Sequence, residues 1–159
     1  MNQSEENSQG RDVRLVSTQK SLPMALLKAR EAVMERLRPV LSAHGVTEQQ
    51  WRVLRVLEER GVLDSSTLAG ASNLLPPSLT RIMKLMEGRG LISMSRDPQD
   101  GRRAQVRITP QGSALIQQAA PEAIAVADEI EAAVGAERLD ALLVELDAVS
   151  RALGRRERG

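Results

Sequence analysis

Between residues 76 and 108 the hydrophobic period changes from that of a helix to that of a strand, and this change leaves few folds open. Pro76 and Pro77 start the segment, because proline holds φ near the helical value and lacks an N–H that a first turn would leave unpaired anyway. Behind them Leu79, Ile82, Met83 and Met86 recur at three- and four-residue spacing as one apolar stripe. Ser78, Thr80, Arg81 and Lys84 fall on the other face, and Gly88 and Gly90 close the helix. Taken alone this is a solvated surface helix. Its hydroxyls and cations, with no acid before Glu87, equally suit a helix laid in a major groove, where hydroxyls bond phosphate and arginine grips guanine.

The following residues decide between the two. Ile92 and Met94 alternate with Ser93 and Ser95, and Ala104, Val106 and Ile108 alternate with Gln105 and Arg107, which predicts two strands. The intervening DPQDGRR contains Asp97-Pro98 and Asp100-Gly101, both turn-forming pairs. A groove-sized helix followed by a hairpin with a basic tip is the order of a winged helix-turn-helix. Residues 76–107 carry seven Lys/Arg (Arg81, Lys84, Arg89, Arg96, Arg102, Arg103 and Arg107) against Glu87, Asp97 and Asp100, the local excess that a polyanion needs.

The net charge of +1 conceals this arrangement, since residues 118–150 hold eight acids against Arg138 alone. DNA would repel that arm, so it should point away. The chain of 159 residues suits one domain with an oligomerisation extension. It has no cysteine and one histidine, His44, which excludes a disulfide framework and a thiolate zinc site and leaves neither a cofactor nor a metal to expect. Aromatic content is Trp51 alone, too little to stack unpaired bases, so double-stranded DNA is the expected partner. No signal-peptide core and no apolar run of membrane length occur, and the expectation is a cytoplasmic protein. Neither a phosphate loop nor a nucleophile–base set is present, so no enzyme is expected.

Taken in order, residues 1–18 lack periodicity and read as a loose tail. Leu22, Leu26, Ala29, Val33, Leu37 and Val40 then mark a long amphipathic helix that His44-Gly45 ends, with His44 expected to face the helix dipole. TEQQ from Thr47 is a capping box, and Trp51, Leu54 and Leu57 give the buried side of a helix that stops at Gly61. Asp64 caps a short helix with Leu68, Ala69 and Ala71, and Ser72-Asn73 turns the chain toward Pro76. After the hairpin, Thr109-Pro110 starts a helix that reaches Gly135, where Pro121 should kink or break it. A last helix shows Leu139, Leu142, Leu143, Leu146, Val149 and Leu153 near a heptad seam. The fold expected is mainly α with a small β-hairpin wing: residues 46–109 form a winged helix-turn-helix, and 19–45 with 110–154 form a helical dimerisation region. The long apolar faces outnumber the places a small winged core has to bury them, so a two-fold homodimer on a palindromic operator is expected, with an intramolecular bundle as the alternative.

TEQQWRVLRVL from Thr47, LTRIMKLMEGRGLI from Leu79 and DPQDGRRAQVRITPQG from Asp97 resemble, in order and spacing, the multiple-antibiotic-resistance-regulator (MarR) family of transcription factors. ALLKAREAVMERLRPVL followed by TEQQWRVLRVL looks most like that family's repressors of homoprotocatechuate (4-hydroxyphenylacetate) degradation operons. The resemblance implies a homodimer joined by its terminal helices. It places Arg102 in the minor groove with Asp100 bracing it and Arg103 beside it, and puts Ser78, Thr80, Arg81 and Lys84 on the recognition surface. Leu85 departs from the pattern, standing where relatives often carry charge, and Gly101 stands where a basic residue is common.

Relatives commonly bind a small aromatic carboxylate between the dimerisation helices and the winged lobe. A site for such an effector needs an apolar wall and a cation. Trp51 with Met24, Leu27 and Met34 could form the wall, and Arg30 the cation, with Arg55 in reserve. The bland reading of each is core or helix surface. The function expected is a transcriptional regulator, a repressor of an aromatic-compound catabolic operon modulated by an aromatic acid. The alternative is a ligand-responsive winged-helix interaction module that does not read DNA.

Overall fold

The computed structural model describes residues 17–96, 98–101 and 103–154. The chain divides into two compact units, Met1–Val33 and Met34–Gly159. In the first, a 3-10 turn over Thr18–Lys20 leads into helix α1, Leu22–Ala43. Of the loose tail expected over residues 1–18, residues 1–16 lie outside the described residues, while Thr18 already belongs to the 3-10 turn. Leu22, Leu26 and Val33, three positions of the stripe that the spacing predicts, are exposed on α1.

In the second unit α1 continues through Pro39 to Ala43, with Val40 and Leu41 buried. Gly45, at φ +68°, reverses the chain. Helix α2, Glu48–Arg60, starts at the expected capping box: Thr47 Oγ1 accepts from Gln50 N at 3.2 Å, and Gln50 Oε1 accepts from Thr47 N at 3.1 Å. Strand β1, Leu63–Asp64, runs into helix α3, Ser65–Ala71, capped by the Asp64 carboxylate, which accepts 2.9 Å bonds from both N and Oγ1 of Thr67. Asn73, at φ 52°, then turns the chain into helix α4, Pro76–Gly88.

Strands β2, Ile92–Arg96, and β3, Ala104–Ile108, pair antiparallel with Met94 opposite Val106. The sheet has a third strand that alternation did not predict, since β1 pairs with the far edge of β3 in the order β1-β3-β2. Two residues are too few to show a period, so only pairing reveals them. The core lies where α2, α3, α4 and the sheet meet, at Leu54, Leu57, Leu68, Leu79, Met86 and Val106.

Helix α5, Pro110–Val134, begins as expected at Thr109, whose hydroxyl accepts from Gly112 N at 3.1 Å and donates to Gly90 O at 2.6 Å. Pro121 does not break it: the helix is continuous from Pro110 to Val134. Proline removes one donor and displaces one carbonyl, and both Gln117 and Pro121 are exposed, so the freed carbonyl is open to solvent rather than buried. Helix α6, Ala136–Leu153, packs on α5 but buries none of its residues, and Leu143 and Leu153 remain 57% and 71% exposed. No helix among the described residues is long and apolar enough to cross a membrane.

Candidate nucleic-acid interface

Helix α4 is seated by its stripe: Leu79, Ile82, Met83 and Met86 are buried. The opposite face is thereby fixed outward. Thr80, Arg81 and Lys84 are exposed and Ser78 is half-buried. The Thr80 hydroxyl donates to Pro76 O at 3.0 Å, so its proton is directed at its own helix and only its lone pairs and methyl face out. Leu85 is exposed as well. Among the described residues neither Arg81 nor Lys84 has a carboxylate partner.

Two charged residues of this segment have structural duties. Glu87 Oε2 accepts from Met94 N at 3.1 Å, which pins β2 to the end of α4. Arg89, although exposed, donates from Nη1 to Gln50 Oε1 at 3.3 Å. Its position just past the end of α4, at the C-cap, faces it toward the start of α2. Arg81 and Lys84 are the cations carried on the outward face of α4 itself.

At the wing, Arg103 N donates to Asp100 O at 3.0 Å, and Arg103 Nε stands 3.7 Å from Asp100 Oδ2. Asp100 thus braces Arg103 within the described residues. Arg102, the arginine expected in the minor groove, and Asp97 lie outside them. Arg103 also lines a cavity of about 430 Å³ at the wing base with Asp64, Ser65, Ser66, Thr67 and Ala104. The two Thr67 hydrogen bonds, and to a lesser degree the Arg103 charge, hold the Asp64 carboxyl below its usual range.

The residues expected to hold an effector separate into two groups. Trp51 and Arg55 of α2 line one cavity of about 310 Å³ together with Leu37 and, from α5, Ala120, Ala123, Ile124 and Ala127. Met34 is buried in α1. Met24, Leu27 and Arg30 belong to the N-terminal unit, where Leu27 is exposed and Arg30 Nη1 donates to Glu31 Oε1 at 3.0 Å. Sequence reasoning missed the α5 wall. Its signal was the alanine-rich run AAPEAIAVA from Ala119, where short side chains leave room opposite an indole.

His44 directly follows the last residue of α1, and its side chain has a partner from another helix. Its Nε2 lies 3.0 Å from Glu122 Oε1, and the pair ties the α1–α2 turn to α5. Among the described residues no three His, Asp or Glu side chains are grouped to hold a metal.

This arrangement of a capped scaffold, an outward cationic helix and a hairpin has close parallels. The profile of the MarR family matches residues 46–104. The chain is 38% identical to the HTH-type transcriptional regulator FarR of Neisseria gonorrhoeae, over 84% of this chain and 93% of that protein. It is 39% identical to the homoprotocatechuate degradative operon repressor of Escherichia coli, over 77% of this chain and 82% of that one. Among solved structures, NadR in complex with 4-hydroxyphenylacetate superposes with a TM-score of 0.75 at 34% identity, covering 86% of this chain and 97% of NadR. With identities of this size over most of both chains, the protein belongs to the MarR family.

Proposed function

We propose that this chain is a dimeric, DNA-binding transcriptional repressor of an aromatic-compound catabolic operon, and that a small aromatic carboxylate in the Trp51 cavity modulates its operator affinity. The observation that carries the first half is α4, whose buried stripe holds Arg81 and Lys84 outward, with no carboxylate partner among the described residues, beside the Arg103-bearing hairpin. Arg102, by its place in the wing motif, would enter the minor groove, and Ser78 and Thr80 would meet the backbone. The unburied leucines of α6 supply a surface for a second copy. No catalytic step belongs to this reading.

The second half rests on the cavity. Trp51, Leu37 and Ile124 offer an aromatic ring apolar walls, and Arg55 offers a carboxylate its fork of donors. NadR, a relative of similar fold, is described with 4-hydroxyphenylacetate bound. Because the cavity is walled by α2 on one side and α5 on the other, an occupant that prefers one spacing of these helices shifts the population of dimers. In a two-fold dimer, two α4 helices spaced for successive major grooves bind, and other spacings do not.

The test is operator binding over a range of salt, with and without 4-hydroxyphenylacetate, 3,4-dihydroxyphenylacetate and related acids. Expected are a steep fall of affinity with salt and a shift on adding one of the acids. Binding indifferent to salt and sequence would sink the DNA half, and a palindrome bound equally in every acid would sink the sensing half alone.

A further inference from the structure

We infer that Leu75, Pro76 and Pro77 form an apolar tip on α4 that reads thymine methyl groups in the major groove, making Leu75 a specificity-determining residue; this rests on the DNA-binding function proposed above. Leu75 is 74% exposed, more than any other large hydrophobic side chain among the described residues, and Pro76 and Pro77 beside it are exposed too. Nothing in the core requires an apolar side chain there. Leu75 is the N-cap of α4, a position that usually carries a serine, threonine or acid to bond the first free amides, and it makes no such bond.

The two prolines explain how that is tolerated and what the tip is left to do. They occupy the first two helical positions and have no N–H, so two of the donors that a helix N-terminus presents are missing. Leu79 N is spent on Leu75 O at 3.0 Å, and the Thr80 hydroxyl donates to Pro76 O. A helix end of this kind is a poor phosphate site, because anion binding there depends on the missing amides. It is an apolar surface of three adjoining residues.

Charge identifies what covers it. Pro77, Arg81 and Lys84 follow one another at four- and three-residue spacing and share the outward face of α4, so the tip approaches whatever the two cations approach. For a polyanionic duplex the phosphates take the cations. The apolar group a major groove presents is the C5-methyl of thymine. A helix that grips the backbone through its body and touches methyls with its tip distinguishes thymine from cytosine where no hydrogen bond is available.

The experiment uses the full chain and a duplex that it enriches from a randomised pool, with each thymine replaced in turn by 2′-deoxyuridine, which removes the methyl and nothing else. The wild-type protein is expected to lose roughly three- to fivefold in affinity at one or two positions in each half-site, the effect of one buried methyl group. Leu75→Ala, checked for unchanged circular dichroism, is expected to bind the unsubstituted duplex weaker by a similar factor and to be indifferent to deoxyuridine at those positions. Wild-type indifference to every replacement, or undiminished sensitivity in Leu75→Ala, overturns the inference while salt-dependent binding leaves the DNA reading intact. Unchanged affinity of Leu75→Ala for the selected duplex assigns the tip to another partner and overturns it as well. If no duplex is enriched, the DNA reading fails and the inference falls with it.

Discussion

Ser113 Oγ donates a 2.6 Å hydrogen bond to Glu58 Oε2, joining the first turn of α5 to the last turn of α2. Both side chains are half-buried, so the carboxylate gains a charge-assisted bond where water competes little. Ser113→Ala leaves Glu58 without this donor and should cost about 1.5 kcal/mol in urea unfolding. Glu58→Gln in the same background should restore part of the loss, because a neutral amide is cheaper to leave unpaired.

Gly112 passes closest to the wing. A Cβ there would overlap the Leu91 carbonyl oxygen and meet Ile108 Cγ1 at 2.8 Å. The backbone carbonyl cannot yield without disturbing the Thr109 N to Leu91 O bond at 3.1 Å. Gly112→Ala should therefore destabilise the fold by roughly 1–3 kcal/mol, read as a lower thermal midpoint. An unchanged midpoint would contradict this close approach.

Asp64 contributes a pH dependence of known sign. Its folded-state pKa lies below the unfolded one because Thr67 donates two hydrogen bonds to the ionised form. The contribution is fully present above the unfolded value and is lost as pH falls through the folded one, a window below about pH 4. Asp64→Asn keeps a capping oxygen but cannot titrate, so it should be less stable than wild type at neutral pH, with a shallower acid unfolding curve in that window as the two converge. Equal acid slopes would show that the bond does not favour the ionised carboxyl.

Arg81 and Lys84 are expected to differ in kind. Lys84→Ala should weaken all duplexes about equally and reduce the slope of log affinity against log salt by about one, as for a phosphate contact. Arg81→Ala should cost roughly 1–3 kcal/mol and relax sequence preference at one position if its fork grips a guanine. Titrations at several salt concentrations separate the two, and identical slopes for wild type and Lys84→Ala would remove Lys84 from the interface.

Trp51 makes ligand binding directly visible. It is the one tryptophan of a chain without tyrosine, and it lines the cavity with Arg55. A bound aromatic acid should change the fluorescence intensity saturably, and Arg55→Met should weaken that titration at least tenfold by removing the carboxylate's partner. A saturable change of equal affinity in Arg55→Met would move the cation elsewhere.

What the amino-acid sequence determined by itself is local. The capping box at Thr47 and Gln50, the caps at Asp64 and Thr109, the paired prolines at Pro76 and the alternation through Val106 each act within a few residues, so helix starts and strands are legible without the fold. Only the tertiary structure decided which distant partner each side chain met. The strand Leu63–Asp64 exists because β3 offers an edge. Arg89 is bonded to Gln50 because α2 starts beside the end of α4, and His44 is paired with Glu122 because α5 passes the α1–α2 turn. Arg55 reaches the same cavity as Trp51 because they lie one helical turn apart on α2, while the alanines opposite come from a helix about seventy residues later. Periodicity states which face of an element is apolar, but the element that covers that face, and the polar groups it brings along, depend on packing between segments that no local pattern connects.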